Sequence, residues 1–226
     1  MHRFFIKEDI GESSKFKLPE DILRQIKRVL KIKRGEKITI FDETGFDYIS
    51  EYSGEDYVSI LEKLPNRREP ERQIFLFQSI LKKDKMEWIF QKGTEVGVCE
   101  FVPVLSSRSV KKDFNLSRAL KIIKEAAEQS GRGHIPGIRE IMDFDEALEF
   151  VQKERMTGII ADPNSKKQLL EAMREPKMGI FIGPEGGFTE KEIAEAKECG
   201  FKAYSLGRLN LRSESATLAA TWLMAQ

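Results

Sequence analysis

Two glycine-containing segments in the second half of the chain have the residue types best suited to holding a ligand. Ile182 to Thr189 places three glycines within five residues directly after a short apolar run. Ser205 to Glu214 combines Gly207 with alternating leucines and an arginine–glutamate pair. Glycine lets the backbone approach a ligand closely, and leucine side chains exclude water. The second segment would give an apolar pocket with two charged groups at its mouth. Either segment alone is more typical of an ordinary strand-to-helix loop, but the two together favour a binding site.

The spacing of these residues argues against several common chemistries. The turn after Ile182 lacks both the Lys-Ser/Thr ending of a phosphate-binding loop and the Gly-x-Gly-x-x-Gly spacing of a dinucleotide site. A nucleophilic hydrolase is disfavoured because there is no Gly-x-Ser-x-Gly motif and neither His2 nor His134 has an evident partner. Cys99 and Cys199 lie in unrelated contexts, so the sequence predicts neither a metal site nor a disulfide.

The elements around the two segments indicate how they are positioned. Met178 to Ile182 has the apolar character of a buried strand, and Thr189 with Glu192 forms a capping box that predicts a helix start. Strands alternate with helices from Gln73 onward, which is typical of a mostly parallel α/β sheet whose ligands bind at the carboxyl ends of the strands. The predicted strands are 73–80, 101–105, 158–161, 178–182 and 201–206, and the predicted helices are 84–96, 116–129, 144–153, 166–173, 193–199 and 214–225.

The amino-terminal part has a different pattern. Three short segments with tight turns between them, 37–42, 46–52 and 57–64, predict a small antiparallel barrel or meander. The stretch 66–72 is charged, contains a proline and lacks apolar periodicity, so it is the best candidate for a linker. We therefore expect two domains, 1–70 and 71–226.

Charge is balanced overall but locally polarised. The 226 residues include 38 Lys and Arg and 37 Asp and Glu, for a net charge of +1. Lys15 to Lys37 nevertheless holds nine basic and three acidic residues. This run is typical either of a solvated amphipathic helix over 21–31 or of a surface that contacts nucleic-acid phosphates, and both interpretations stay open. The charged opening of the chain and the lack of a long apolar run predict a cytoplasmic protein without membrane contact.

Several ordered blocks resemble one known family. Gly-Pro-Glu-Gly-Gly-Phe at 183–188, Leu-Gly at 206–207 and Leu-Arg-Ser-Glu-Ser-Ala at 211–216 resemble the signature of the ribosomal small-subunit RNA methyltransferase E family, of the SPOUT superfamily. Blocks at 2–5, 85–98, 107–110 and 125–132 are similar to further family segments. The chain departs from the family at Leu209-Asn210, where Arg-Ile is usual, at Ser213 and Ser215, where threonine is usual, and at Gly93, where alanine is commoner.

The resemblance implies a fold, an activity and partners. The implied fold is α/β, with an amino-terminal PUA-like RNA-binding β-barrel and a carboxyl-terminal SPOUT domain. A deep trefoil knot would be formed there by the loops after strands 159–161, 178–182 and 201–206. The implied function is transfer of a methyl group from S-adenosyl-L-methionine to N3 of a specific uridine in small-subunit (16S) ribosomal RNA, by a homodimer. The alternatives are a SPOUT methyltransferase acting on a ribose 2′-hydroxyl or another base, and a non-catalytic RNA-binding or ribosome-assembly protein.

The resemblance also implies roles for individual residues. Arg212 would stabilise developing negative charge, with Glu185 or Glu214 as the base, although Glu214 could instead stabilise a helix start and Glu185 could brace its loop. The candidates for RNA contact are Arg3, Lys92, Arg108 and Arg132. The residues expected to bind the cofactor are Ala161, Ile182, Gly183, Pro184, Gly187, Ser205, Leu206, Gly207, Leu209, Asn210 and Leu211.

Overall fold

The computed structural model describes residues 1–169 and 175–226 and divides the chain into two compact units. The amino-terminal unit contains Met1–Glu69 together with Ala127–Ile135, and the carboxyl-terminal unit contains Pro70–Ala126 and Pro136–Gln226. The division after Glu69 lies inside the charged stretch 66–72. Nothing in the sequence had indicated that residues 127–135 join the first unit.

The amino-terminal unit is built on a five-stranded sheet in the order β1-β3-β4-β5-β2. β1 pairs with β3 in parallel, and the other pairs are antiparallel. The three predicted strands are present, whereas the two shortest strands were missed because three residues are too few to show an alternating pattern. The strands are β1 (Arg3–Phe5), β2 (Lys15–Lys17), β3 (Lys37–Phe41), β4 (Phe46–Tyr52) and β5 (Tyr57–Pro65).

The predicted helix at 21–31 is present but changes its geometry along its length. Helix α1 spans Glu20–Arg24, and the wider turns of a π-helix continue from Gln25 to Leu30. Ile22 and Ile26, four residues apart, bury one face of this segment in the core of the unit, and its lysines and arginines are exposed on the other. The basic run is therefore a solvated face, and contact with nucleic acid remains a prediction.

The carboxyl-terminal unit is a seven-stranded parallel sheet in the order β12-β10-β11-β6-β7-β8, with β9 also paired to β7. Most predicted elements are found within a few residues of their expected bounds. The predicted helix 166–173 lies partly outside the described residues, and its described part is not α-helical. The strands are β6 (Gln73–Ser79), β7 (Glu100–Leu105), β8 (Gly137–Ile138), β9 (Met142–Asp143), β10 (Thr157–Ala161), β11 (Lys177–Ile182) and β12 (Lys202–Tyr204). The helices are α2 (Lys83–Val96), α3 (Leu116–Ser130), α4 (Phe144–Lys153), α5 (Glu190–Glu198) and α6 (Ser213–Ala225).

Aromatic packing fixes the centre of this sheet. The rings of Phe77 and Phe181, on neighbouring strands, stack with centroids 4.3 Å apart, and Phe201 meets Phe181 edge-on at 5.2 Å. Gly93 in α2 is explained by similar crowding, because a Cβ atom there would lie 2.7 Å from Cε1 of Phe101. Within the described ranges, no helix is both long and apolar enough to cross a membrane.

Candidate ligand-binding site at the ends of three parallel strands

A cavity of about 730 Å³ opens where strands β10, β11 and β12 end. Its walls are the loops that follow these strands, the first turn of α6 and one side of α5, which contributes Glu190, Ile193, Ala194 and Lys197. All eleven residues predicted to bind a cofactor line this cavity, as do Glu185 and Arg108. Loops at the carboxyl ends of parallel strands are the usual place for a ligand in an α/β sheet.

The first loop, 183–188, folds back tightly on itself. A Cβ atom at Gly183 would lie 3.1 Å from the backbone nitrogen of Phe188, so a larger residue would push the loop open. Gly187 has a positive φ of 68°, and its N–H donates to the carbonyl of Pro184 at 2.9 Å. At Gly183 and Gly187 this loop therefore brings backbone N–H and C=O groups close to any occupant of the cavity.

The predicted capping box at the start of α5, directly after this loop, is confirmed. The Thr189 hydroxyl accepts from the N–H of Glu192, and the Glu192 carboxylate accepts from the N–H of Thr189. Two longer-range contacts also hold the loop in place. The buried Glu192 side chain also accepts from the N–H of Ser107 at 2.8 Å. Beside it, Arg108 Nη1 donates to the carbonyl of Gly186 at 2.7 Å. Arg108, predicted to contact RNA, is thus a brace of the glycine loop.

The second loop, 205–212, presents apolar side chains to the cavity. The Ser205 hydroxyl donates to the carbonyl of Gly207 at 2.9 Å, and Gly207 has a positive φ of 132°. Leu209 and Leu211 are 80% and 42% exposed and line the cavity. A ligand bound there would take their apolar surface out of water.

A cluster of three charged groups joins α2, the first loop and the start of α6. Lys85 Nζ lies 3.0 Å from Oε1 of Glu185 and 3.4 Å from Oε2 of Glu214. The hydrogen bond that Lys85 donates to Glu185, with the charge of both carboxylates, raises the pKa of Lys85. Partial burial favours a higher pKa for Glu185, but its backbone N–H and the Lys85 ammonium outweigh this effect and lower that pKa. The cluster keeps both ends of the Lys85–Glu185 pair charged.

Arg212 stands at the start of α6, where its carbonyl accepts from the N–H of Ala216 at 2.8 Å. Its side chain is exposed, and it forms no ion pair with any residue of 1–169 or 175–226. Glu214 occupies the first turn of the same helix, where a carboxylate is favourable. Of the three predicted catalytic residues, Glu185 lines the cavity, whereas Arg212 and Glu214 stand at the start of α6 next to the lining residues Leu211 and Ser213.

Arg3 and Arg132 occupy positions that do not suit RNA contact. Arg3 is buried against Asp47, and Arg132 is buried in an ion pair with Glu69, with Nη2 and Oε2 2.8 Å apart. A guanidinium committed in this way cannot reach a phosphate without breaking its pair, so the structure favours a structural role for both. Lys92 is half-buried and pairs with Glu95 on α2 at 2.8 Å. RNA contact by any of these residues remains a prediction.

Sequence reasoning missed some of the residues around the cavity. Asp162 and Asn164, in the loop after β10, line the wall, and Oδ1 of Asp162 accepts from the N–H of Asn164 at 2.9 Å. Their position directly after a predicted strand was the available signal, but only Ala161 was proposed from this loop. Lys85 begins the segment 85–98, which resembles the family, but no individual role was predicted for it. No group of side chains suited to holding a metal ion occurs among the residues for which coordinates are described.

Comparison with known proteins gives a consistent result. The model of a family described as an RNA methyltransferase domain matches residues 67–225. Ribosomal RNA small subunit methyltransferase E of Bacillus subtilis is 32% identical over 97% of this chain and 94% of its own length. The protein of the same name from Mesomycoplasma hyopneumoniae is 32% identical over 96% of each chain. A crystal structure of ribosomal RNA small subunit methyltransferase E from Neisseria gonorrhoeae, bound to S-adenosyl methionine, superimposes with a TM-score of 0.89 at 34% identity, covering 98% of this chain and 95% of that one.

Proposed function

The chain belongs to the ribosomal RNA small subunit methyltransferase E family, and on that premise we propose that it transfers a methyl group from S-adenosyl-L-methionine to N3 of a uridine in small-subunit ribosomal RNA. The observation that carries the proposal is the cavity at the ends of β10, β11 and β12, lined by both glycine loops. The related gonococcal protein was solved with S-adenosyl methionine bound.

The shape and chemistry of the cavity fit this cofactor. A volume of about 730 Å³ is within the range of small-molecule sites. The missing side chain of Gly183 leaves loop backbone at the wall, where N–H and C=O groups can pair with the edge of a flat heterocycle. Ile182, Leu206 and Leu211 add apolar surface on which such a ring can rest. When bound, the cofactor supplies an electrophilic methyl group on a sulfonium centre.

Arg212, directly after the lining residue Leu211, is our candidate for acting on the acceptor. Uridine N3 carries a proton at neutral pH, so it has to be deprotonated as it attacks, and negative charge spreads onto the neighbouring uracil oxygens. The exposed guanidinium of Arg212 is a permanent positive charge suited to stabilising that charge. Holding the acceptor at the correct angle and distance contributes further to the rate.

The two glutamates are unequal candidates for the base. The lowered pKa of Glu185 makes it a weaker proton acceptor than an ordinary glutamate, and its close contact with Lys85 favours a role as a loop brace. Lys85 is farther from Glu214, at 3.4 Å. We therefore favour Glu214 as the base. In Glu185→Gln, cofactor affinity should persist; methyl transfer should also persist if Glu185 is a brace and collapse if it is the base.

The acceptor site imposes a requirement on the RNA. N3 lies on the base-pairing edge of uracil, so the target uridine has to be unpaired or flipped out of a helix. Our candidates for contacting phosphates are the exposed basic face on α1 and the following π-helical turns, and Lys92, which is half-buried and paired with Glu95. We further propose a PUA-like barrel for domain 1–70, a trefoil knot in domain 71–226 and a homodimer. A cytoplasmic location also remains a prediction.

Two measurements test the proposal, one for cofactor binding and one for the methylated nucleoside. Isothermal titration calorimetry of the purified chain with S-adenosyl-L-methionine should show binding, and its failure would contradict the proposal outright. Small-subunit ribosomal RNA from cells lacking the gene is then incubated with protein and cofactor, digested and analysed by mass spectrometry. We expect new N3-methyluridine. A 2′-O-methylated nucleoside or another methylated base would instead identify a different acceptor, and cofactor binding without any methylated nucleoside would favour a ribosome-assembly role.

A further inference from the structure

A buried chain of hydrogen bonds runs behind the cavity wall and includes two residues, Gln78 and Thr217, to which neither the sequence nor the proposed mechanism gives a role. Its centre is Gln78, in strand β6, whose side chain is 1% exposed. Gln78 Oε1 accepts from the hydroxyl of Thr217 at 2.5 Å, and Nε2 donates to the hydroxyl of Ser213 at 3.1 Å. The Thr217 hydroxyl also lies 3.0 Å from the carbonyl of Ser213 in the same helix, but Gln78 Oε1 is the nearer acceptor. The Ser213 hydroxyl in turn donates to the carbonyl of Gly183 at 2.6 Å.

The surrounding carbonyls fix the direction of this chain. Gln78 Nε2 lies 3.0 Å from the carbonyl oxygen of Ser79 and 3.5 Å from that of Ile182. The reversed amide would place its oxygen against these two acceptors, so the nitrogen has to occupy this position. Because the carbonyl of Gly183 can only accept, the Ser213 proton points toward it. Thr217, Gln78, Ser213 and Gly183 are therefore linked donor to acceptor in one direction.

The chain connects the two halves of the cavity wall to the centre of the sheet. Gln78 is in register with Ile182 on the adjacent strand β11, so its backbone is held by the sheet. Its side chain then reaches Ser213, at the end of the second loop, and through Ser213 the first loop at Gly183. Gly183 and Ser213 both line the cavity, whereas Gln78 and Thr217 lie behind it.

We propose that Gln78, oriented by Thr217, is a positioning residue for S-adenosyl-L-methionine, setting the separation and orientation of the two loops that bind it. This inference rests on the proposed function. The effect is indirect, because neither side chain lines the cavity. A cofactor that pairs with loop backbone needs donors and acceptors at fixed positions, and losing one buried hydrogen bond in their support should weaken binding about fivefold to tenfold.

A buried polar chain could equally serve stability alone, and the same helix provides a control that separates the two roles. Thr221 lies one turn after Thr217 in α6 and is just as buried. Its hydroxyl donates only within the helix, to the carbonyls of Thr217 at 2.6 Å and Leu218 at 3.4 Å. Thr217→Val and Thr221→Val each remove a hydroxyl from equally buried positions, but only the first leaves Oε1 of Gln78 without its donor.

The test compares cofactor affinity with stability in four proteins: wild type, Thr217→Val, Thr221→Val and Thr217→Ser. Calorimetric titration with S-adenosyl-L-methionine, well below every unfolding midpoint, should show a fivefold to tenfold loss for Thr217→Val. Thr221→Val should stay within twofold of wild type despite a similar loss of stability, and Thr217→Ser should recover most of the affinity. If Thr217→Val fails to fold, Gln78→Met breaks the same chain and should weaken binding equally.

The failures of the two proposals are distinguishable. Wild-type protein that does not bind the cofactor overturns the proposed function. Wild-type protein that binds, with Thr217→Val and Gln78→Met within twofold of it, overturns the positioning role and leaves the proposed function standing. Equal losses of affinity in Thr217→Val and Thr221→Val would also overturn the positioning role, because cofactor affinity would then follow the stability of the protein.

Discussion

The two units of this protein use ion pairs in different ways. In the amino-terminal unit, Arg132 is 6% exposed and Glu69 is 24% exposed, and the carboxylate also accepts from the N–H of Gly133 at 2.7 Å. In the carboxyl-terminal unit, Lys85 and Glu185 are 29% and 37% exposed and stand beside an open cavity. The first pair is largely buried and is reinforced by a backbone N–H, whereas the second is part-exposed and borders the cavity.

The difference indicates which charges hold the fold and which are available for chemistry. Breaking a buried pair leaves an uncompensated charge inside the protein and is strongly destabilising, whereas solvent-exposed pairs contribute little. Family resemblance treated Arg3 and Arg132 as equivalent to Lys92 and Arg108, because matching sequence blocks do not reveal burial. Burial separates the first two as structural arginines.

The largest effect is expected at Arg212, which is exposed and not ion-paired among the described residues. Arg212→Ala should lower the rate of methyl transfer about 100-fold, the loss typical for one group that stabilises transition-state charge. Cofactor affinity and unfolding free energy should change little. Arg208→Ala removes the same charge nearby and is the matched control. An equal loss in both variants would show that the total charge of the loop, rather than the position of Arg212, matters.

Glu69→Gln should have the next largest effect, on stability. We expect the free energy of unfolding at pH 7 to fall by about 3 kcal/mol, because Arg132 loses its charge partner. Chemical denaturation measures the change, and Glu71→Gln, at an exposed position in the same segment, is the control. Cofactor affinity should be retained, and a small stability change would contradict the structural role of the pair.

The same pair predicts a pH dependence. Burial alone would raise the pKa of Glu69, but the hydrogen bond and charge of Arg132, with the N–H groups of Gly133 and His134, lower it below 4.5. A depressed folded-state pKa stabilises the protein above the unfolded value, and that stability is lost as pH falls through the folded value. The difference between wild type and Glu69→Gln should therefore shrink below about pH 4.5. A difference in unfolding free energy that stays constant down to about pH 3, well below the ordinary pKa of glutamate, would contradict this assignment.

Lys85→Met should shift the pKa of Glu185 while changing the free energy of unfolding only slightly. Removing the ammonium should raise the pKa of Glu185, because the contact with Lys85 lowers it in the native protein. Carboxyl chemical shifts followed by NMR during an acid titration measure this pKa. The free energy of unfolding should change by less than about 1 kcal/mol, as for other part-exposed pairs. Lys191→Met, in an exposed pair with Glu195, is the control and should leave Glu185 unaffected.

The smallest effect is expected for Lys92→Ala. If Lys92 contacts a phosphate, the change should weaken RNA binding about threefold and reduce the slope of log affinity against log salt concentration by about one. Lys121→Ala removes an equal charge from α3 and is the control. Fluorescence anisotropy with small-subunit RNA at several salt concentrations makes the measurement, and an unchanged slope would remove Lys92 from the interface.

The sequence predicted structure correctly where the residues that determine it are close together along the chain. The capping box of Thr189 and Glu192 spans four residues, and the apolar run before it is a strand buried on both faces, so both were evident from sequence. Other contacts had no such signal. Lys85 meets Glu185, which is 100 positions away, and residues 127–135 join the amino-terminal unit only through tertiary packing.

The sequence by itself determined the alternation of strands and helices, the two glycine loops and, through their resemblance to a family, eleven of the residues that line the cavity. Only the tertiary structure decided which charges are buried, which carboxylates share Lys85, and that Gln78 supports the wall from behind. The reason is physical. Glycine turns and helix caps are set by neighbouring residues, whereas burial and charge pairing depend on which distant segments the fold brings together. The loop at 183–188 depends on both local and distant residues. Its own sequence specifies the turn, and contacts with Arg108, Glu192 and Ser213 hold it in position.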